Sequence, residues 1–268
     1  MSRFAAAALT LILAGAAHGG ELRLGATHTL EDSGILAVLV AGFSKPRGVA
    51  VRPLVAGTGQ VMQYAQNGDV DVVFTHSRAD EERLVAAGIG KARRDVMWND
   101  FVIAGPAADP ARVRGSKDAA AALAKIRIAG AKFVSRGDDS GTHKKELQLW
   151  SAAGGLATWA GYIQSGQGAG RALIMAHELD AYDLVDRATL KQLARRYPLA
   201  ILVEGDPRLL NEYGVTTLRP SAARPVNERD AESFADWLVS PEAQALIAAY
   251  RIEGERVFRL PRESAATR

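Results

Sequence analysis

Residues 70–75, Val70-Asp71-Val72-Val73-Phe74-Thr75, form an apolar run bounded by Asp69 and His76. A short run of this composition fits a strand buried on both faces, as in a sheet covered by helices on each side. Reading outward, residues 22–26 make a second short strand, residues 34–42 a helix and residues 49–55 an extended segment. Gly57-Thr58-Gly59 then leads into a helix over 60–67. Beyond His76 come a helix over 81–87 and a strand over 101–104 that stops at Gly105-Pro106. This β-α-β-α-β order predicts an α/β fold, an open sheet with helices on both sides.

The alternation continues. An alanine-rich segment over 109–125 reads as a surface helix, with strands expected over 127–129 and 132–135. A loop over 136–141 enters a helix over 142–153, and Gln164-Ser165-Gly166-Gln167-Gly168-Ala169-Gly170 enters a helix over 171–179. Strands over 199–203 and 215–218 and an amphipathic helix over 231–250 complete the reading. Two α/β lobes accommodate these pieces. The chain crosses between them near Gly105 and near Tyr213, so residues 20–104 and 213–268 form lobe 1 and residues 105–212 form lobe 2.

Composition narrows the function. The 268 residues include no cysteine, which excludes thiolate metal sites, cysteine nucleophiles and a disulfide framework. Arg3, the apolar stretch 4–17 and the small residues Ala16, Ala17 and Gly19 read as a signal peptide over 1–19. That stretch is shorter than the roughly 20 apolar residues a membrane span needs. The expectation is an exported, periplasmic protein. The net charge of +3 is spread among acids rather than gathered in a stripe, which argues against nucleic acid and suits an anionic ligand.

Four loops share one design, a cluster of Thr, Ser or Gly directly before a helix: 27–34, 57–59, 135–142 and 165–168. Each offers free backbone N–H groups and hydroxyls at the positive end of a helix dipole, where anions bind. Any one of them is explained by helix capping. Convergence of several on one cleft, at the carboxyl ends of strands, would indicate a ligand site.

Ser135-Arg136-Gly137-Asp138-Asp139-Ser140-Gly141-Thr142-His143-Lys144-Lys145-Glu146 resembles a signature of the tungstate-binding components of bacterial ABC importers. The resemblance extends to Asp32-Ser33-Gly34, Gly57-Thr58-Gly59-Gln60, Asn99-Asp100-Phe101-Val102-Ile103, Glu204-Gly205-Asp206-Pro207 and Asn211-Glu212-Tyr213-Gly214-Val215. It implies a type II periplasmic binding protein: two lobes on a two-strand hinge, closing over an oxyanion without chemistry and without a cofactor. Carried over, it implies ligand-binding roles for Thr27, Thr29, Thr58, Arg136, Ser140, Gly141 and Thr142. The ligand would be tungstate or molybdate, the partner the permease of an ABC importer, and the protein a monomer. The first loop departs from the family's run of Thr and Ser, because Leu30 offers no side-chain donor and His28 donates only in a suitable tautomer.

Other readings are weaker. A phosphate site benefits from an acceptor carboxylate, for which Asp32, Asp138 and Asp139 are candidates, although capping helices and orienting Arg136 suit them better. Sulfate, a proton-free dianion, is a further candidate. A hydrolase built from Ser140, His143 and Asp138 or Asp139 would crowd its triad into one loop and helical turn, without a Gly-x-Ser-x-Gly elbow. His76 ends a strand, and packing near the hinge is its expected role.

Overall fold

A computed structural model describes residues 21–156 and 159–263. The expected signal peptide lies outside the described residues. The first half of the chain gives β1 (Leu22–Thr27), α1 (His28–Asp32), α2 (Ile35–Arg47), β2 (Val51–Ala56), α3 (Thr58–Asn67), β3 (Val72–Thr75), α4 (Arg78–Ala86) and the long β4 (Gly90–Gly105). The middle gives α5 (Ala119–Ile128), β5 (Phe133–Ser135), α6 (Gly141–Ala152), β6 (Tyr162–Gln164), α7 (Ala169–Glu178), β7 (Tyr182–Asp186), α8 (Arg187–Leu193) and β8 (Ala200–Val203). The chain then returns through β9 (Leu210–Leu218), α9 (Glu228–Leu238) and α10 (Pro241–Ala249).

The strands run β2-β1-β3-β9-β4-β7-β5-β6, with β8 also on β4. β1 is parallel to β2 and β3, and β5 is parallel to β6 and β7. Between these two parallel sets lie β4 and β9, antiparallel to each other. The result is two α/β lobes joined by two strands. β3 is fully buried, as its apolar run predicts.

β4 changes partner along its length. Up to Asp100 it pairs with β9, and from Phe101 to Ala104 it pairs with β7. Val96 and Met97 pack in the core of the first lobe, with Phe43, Phe74, Tyr213 and Phe234. Phe101 and Ile103 pack in the core of the second, with Phe133, Trp150 and Tyr182. The exchange of partner falls between Asp100 and Phe101. On the return strand Leu209 packs in the second core and Tyr213 in the first.

Some elements differ from the reading. The helix expected over 109–125 starts only at Ala119, where the Asp118 carboxylate accepts the Ala121 N–H. The preceding turn is held by Asp109, whose carboxylate accepts from the N–H groups of Val113 and Arg114 and from the Tyr182 hydroxyl. The helix buries one face, through Ala119, Ala120, Ala122, Leu123 and Ile126, and exposes Ala121, Lys125 and Ile128. The strand expected over 127–129 is the end of α5, which stops at Gly130 in the left-handed region (φ 62°). The helix expected over 231–250 is two helices, α9 and α10. Pro241 cannot continue the hydrogen-bond ladder and instead opens α10 behind the Ser240 cap.

Candidate functional site

The carboxyl ends of β1, β2 and β3 from one lobe and of β5 from the other meet across the cleft. The residues at or just past those ends, Thr27, Gly57-Thr58, His76 and Arg136, line one small cavity with His28, Thr29, Ala56 and Ser140. The space between their atoms is about 150 Å³, open solvent included, and it leaves no room for a water-sized sphere, so the walls have to part for a ligand to enter.

Thr27, Thr29, Thr58, Arg136 and Ser140, all named from the sequence, line this cavity and are all buried. Gly141 and Thr142 sit behind it in the first turn of α6. The Gly141 N–H donates to Thr58 Oγ1 at 3.0 Å, which ties the lobes together at the cavity wall. Thr27 Oγ1 and Thr29 Oγ1 are 3.0 Å apart. The Thr142 hydroxyl is buried and has no hydrogen-bond partner.

Arg136 is held in place from behind. Its Nε donates to the Gln167 carbonyl at 2.6 Å, and Nη2 pairs with the Asp138 carboxylate. The other Asp138 oxygen accepts the Ser140 N–H at 3.1 Å. Asp138 thus orients Arg136 and shapes the loop, as the sequence reading expects, and is absent from the cavity lining. Gly137 makes the turn possible. Its φ of 59° is left-handed, and a Cβ there would lie 2.9 Å from Gln164 Cβ.

Sequence reasoning expected His76 to pack near the hinge, and its ring does lie against Tyr213 and Phe101 of the two crossing strands, while it also lines the cavity wall. Its ring rests against Gly141, where a Cβ would come within 2.8 Å of Cε1. Nδ1 is 2.9 Å from Asn211 Oδ1. The Asn211 amide nitrogen faces Asn99 Oδ1, Asp186 Oδ2 and the Tyr213 hydroxyl, which leaves Oδ1 as the acceptor and puts the proton on Nδ1. Burial first, then the charges of Arg136 and Lys145, lower the His76 pKa to about 4, against the pull of the Asn211 bond. The imidazole is therefore neutral near pH 7. Burial likewise raises the pKa of Asp186, although Asn99, the Thr189 N–H, Tyr213 and Asn211 all donate to it. This network sits where the chain crosses between lobes. No local signal in the sequence links His76 to Asn211.

Leu30 is fully buried in the first core, so the residue that departs from the expected loop pattern does not face the cavity. His28 does line it, with its ring packed near Gly168 of the other lobe. The triad geometry is not assembled: the His143 backbone N–H donates to Ser140 Oγ, while the His143 ring nitrogen Nδ1 accepts from the Asp139 N–H.

A closed cleft between two α/β lobes, walled by strand-end loops, is the layout of a two-lobed binding protein. A family model described as the PBP superfamily domain matches residues 14–242. The chain is 42% identical over 233 residues to the tungstate-binding protein TupA of Peptoclostridium acidaminophilum, covering 86% of this chain and 82% of that protein. It is similar to the crystal structure of the tungstate ABC transporter from Geobacter sulfurreducens, with a TM-score of 0.79, 42% identity and coverage of 86% of this chain and 98% of that one. For the tungstate binding protein TupA from Desulfovibrio alaskensis G20 the TM-score is 0.75 and the identity 39%, with 90% of this chain and 98% of that chain covered. The chain belongs to the PBP superfamily and, within it, to the family of the tungstate-binding proteins. Among the described residues no helix is long and apolar enough to cross a membrane.

Proposed function

We propose that this protein captures a tetrahedral oxyanion, tungstate or molybdate, between its lobes and delivers it from the periplasm to the permease of an ABC importer. The observation that carries the reading is the convergence of Arg136 and the hydroxyls of Thr27, Thr29, Thr58 and Ser140 on one spot between the lobes with no carboxylate in its lining. A proton-free dianion needs only donors, and this wall supplies them with one full positive charge. Gly141 and Thr142 extend the donor set at the N-terminus of α6, where the helix dipole favours negative charge.

The residues act by binding alone. Arg136 and the hydroxyls replace the hydration shell of the anion, and contacts from both lobes favour the closed state, which the permease then reads. No step makes or breaks a covalent bond. Isothermal titration of the mature protein with tungstate, molybdate, sulfate and phosphate in parallel tests this. Tight binding of tungstate or molybdate, with phosphate much weaker, is expected. Preference for phosphate would overturn the choice of ligand, and silence toward all four would overturn the function.

A further inference from the structure

Asp32 ends α1 in the first lobe, and α7 begins in the second with Gly168 as its N-cap, a residue with no side chain to cap it. The Asp32 carboxylate nevertheless accepts the Gly170 N–H at 2.9 Å. The approach is close: a Cβ on Gly170 would lie 3.4 Å from the same carboxylate oxygen. The cap for a helix of one lobe is thus supplied by the other, and the two residues are far apart in the chain. A second contact between the lobes is made by Lys144 on α6, which reaches Asp80 on α4 at 2.9 Å. Asp32 ends the short helix α1 whose N-cap Thr27 and residue Thr29 line the anion cavity, so the bridge starts from an element of that wall.

We propose that Asp32 is a closure latch, a positioning residue that caps α7 only when the lobes meet and so holds the cavity shut over its anion. It rests on the binding reading above. In the open protein the first N–H groups of α7 face water and Asp32 is solvated, and closing exchanges those contacts for a charge-assisted bond at a helix N-terminus. The latch touches no ligand. Its effect therefore falls on how long the cleft stays closed rather than on how the anion first arrives.

The test is a comparison of wild type, Asp32→Ala and Asp32→Asn. Tungstate association and dissociation are followed by stopped-flow tryptophan fluorescence, and melting is followed with and without tungstate. Loss of a helix cap predicts roughly fivefold faster dissociation in Asp32→Ala, with the association rate changed by less than about twofold. Asp32→Asn, which keeps an acceptor oxygen without the charge, falls between. The ligand-free melting temperature stays at the wild-type value, while the upshift given by tungstate shrinks. An unchanged dissociation rate in Asp32→Ala, or an equal loss of melting temperature with and without tungstate, overturns the latch but leaves the binding function standing. If wild type binds none of tungstate, molybdate, sulfate and phosphate, the binding reading and the latch fall together.

Discussion

Arg136→Ala should weaken tungstate binding by about three orders of magnitude. Arg136 is 2% exposed and its guanidinium is fixed by the Gln167 carbonyl and by Asp138, so its remaining N–H groups are presented to the cavity at little further entropic cost. A hydrogen bond to a charged group contributes about 1.5–3 kcal/mol, and a forked arginine offers two of them to one oxyanion. Losing both costs about 3–6 kcal/mol, or roughly 10²- to 10⁴-fold in Kd. A second effect has the same sign. Asp138 stays in place through the Ser140 N–H but loses its cation, so a carboxylate without its partner then stands behind the cavity and repels a dianion. Arg136→Lys separates charge from geometry. An ammonium cannot reach Gln167, Asp138 and the anion with one planar fork, so a loss of about 10- to 100-fold is expected. Isothermal titration of the three proteins, with circular dichroism to confirm folding, makes the measurement. If Arg136→Ala binds tungstate within about fivefold of wild type, the assignment of the cavity as the anion site is wrong.

Three further outcomes follow from single contacts. Thr142→Val removes a hydroxyl that has no partner, so ligand-free stability should hold or rise slightly by urea denaturation while tungstate affinity falls about 10- to 100-fold by titration. His76 has a folded pKa of about 4, below its unfolded value near 6.5, so the unfolded chain binds the extra proton and stability is lost as pH falls through that window. Urea denaturation across it should show wild type losing roughly 3 kcal/mol more than His76→Gln, and parallel curves would refute the buried neutral imidazole. Gly141→Ala places a Cβ 2.8 Å from His76 Cε1 at the point where the lobes touch, so X-ray scattering with saturating tungstate should report a more open particle than wild type.

What the sequence disclosed and what it hid divide along a physical line. Gly57-Thr58 and the loop from Ser135 to Thr142 were legible because donor, turn and helix start are neighbours in the chain, and local chemistry writes local signals. Of the long β4 only the 101–104 end was. Arg93, Arg94, Asp95 and Asp100 interrupt its apolar pattern, and apart from the Arg93–Asp95 pair within the strand they are matched by partners outside it: Glu81 for Arg93, Glu232 and Asp236 for Arg94, Arg78 for Asp95 and Arg187 for Asp100. β7 was missed for a related reason. Asp183 and Asp186 in Tyr182–Asp186 read as surface residues, yet the strand is wholly buried and Asp186 is satisfied by Asn99, Asn211 and Tyr213. The break between α9 and α10 did have a local signal, Ser240-Pro241, which the amphipathic pattern on either side masked. His76 and Asp32 needed the fold, because their roles are defined by residues of the other crossing strand and the other lobe.

The acids near the cavity explain how one donor-rich cleft can favour a proton-free dianion over phosphate. Asp138 is committed to Arg136 and the Ser140 N–H, Asp32 to the Gly170 N–H, and Asp80 to Lys144, Arg83 and the Ser77 hydroxyl. Each of these carboxylates strengthens either the placement of a donor or the contact between lobes, and none lines the cavity. Hydrogen phosphate entering such a site would bury its own O–H with no carboxylate to receive it, leaving only the wall's hydroxyls and His76 Nε2 as acceptors, a poorer match than a carboxylate and a penalty in affinity. Tungstate and molybdate bring no proton and meet no such penalty. The same reasoning predicts poor discrimination between those two, since a wall of donors reads charge and shape, in which they are nearly alike.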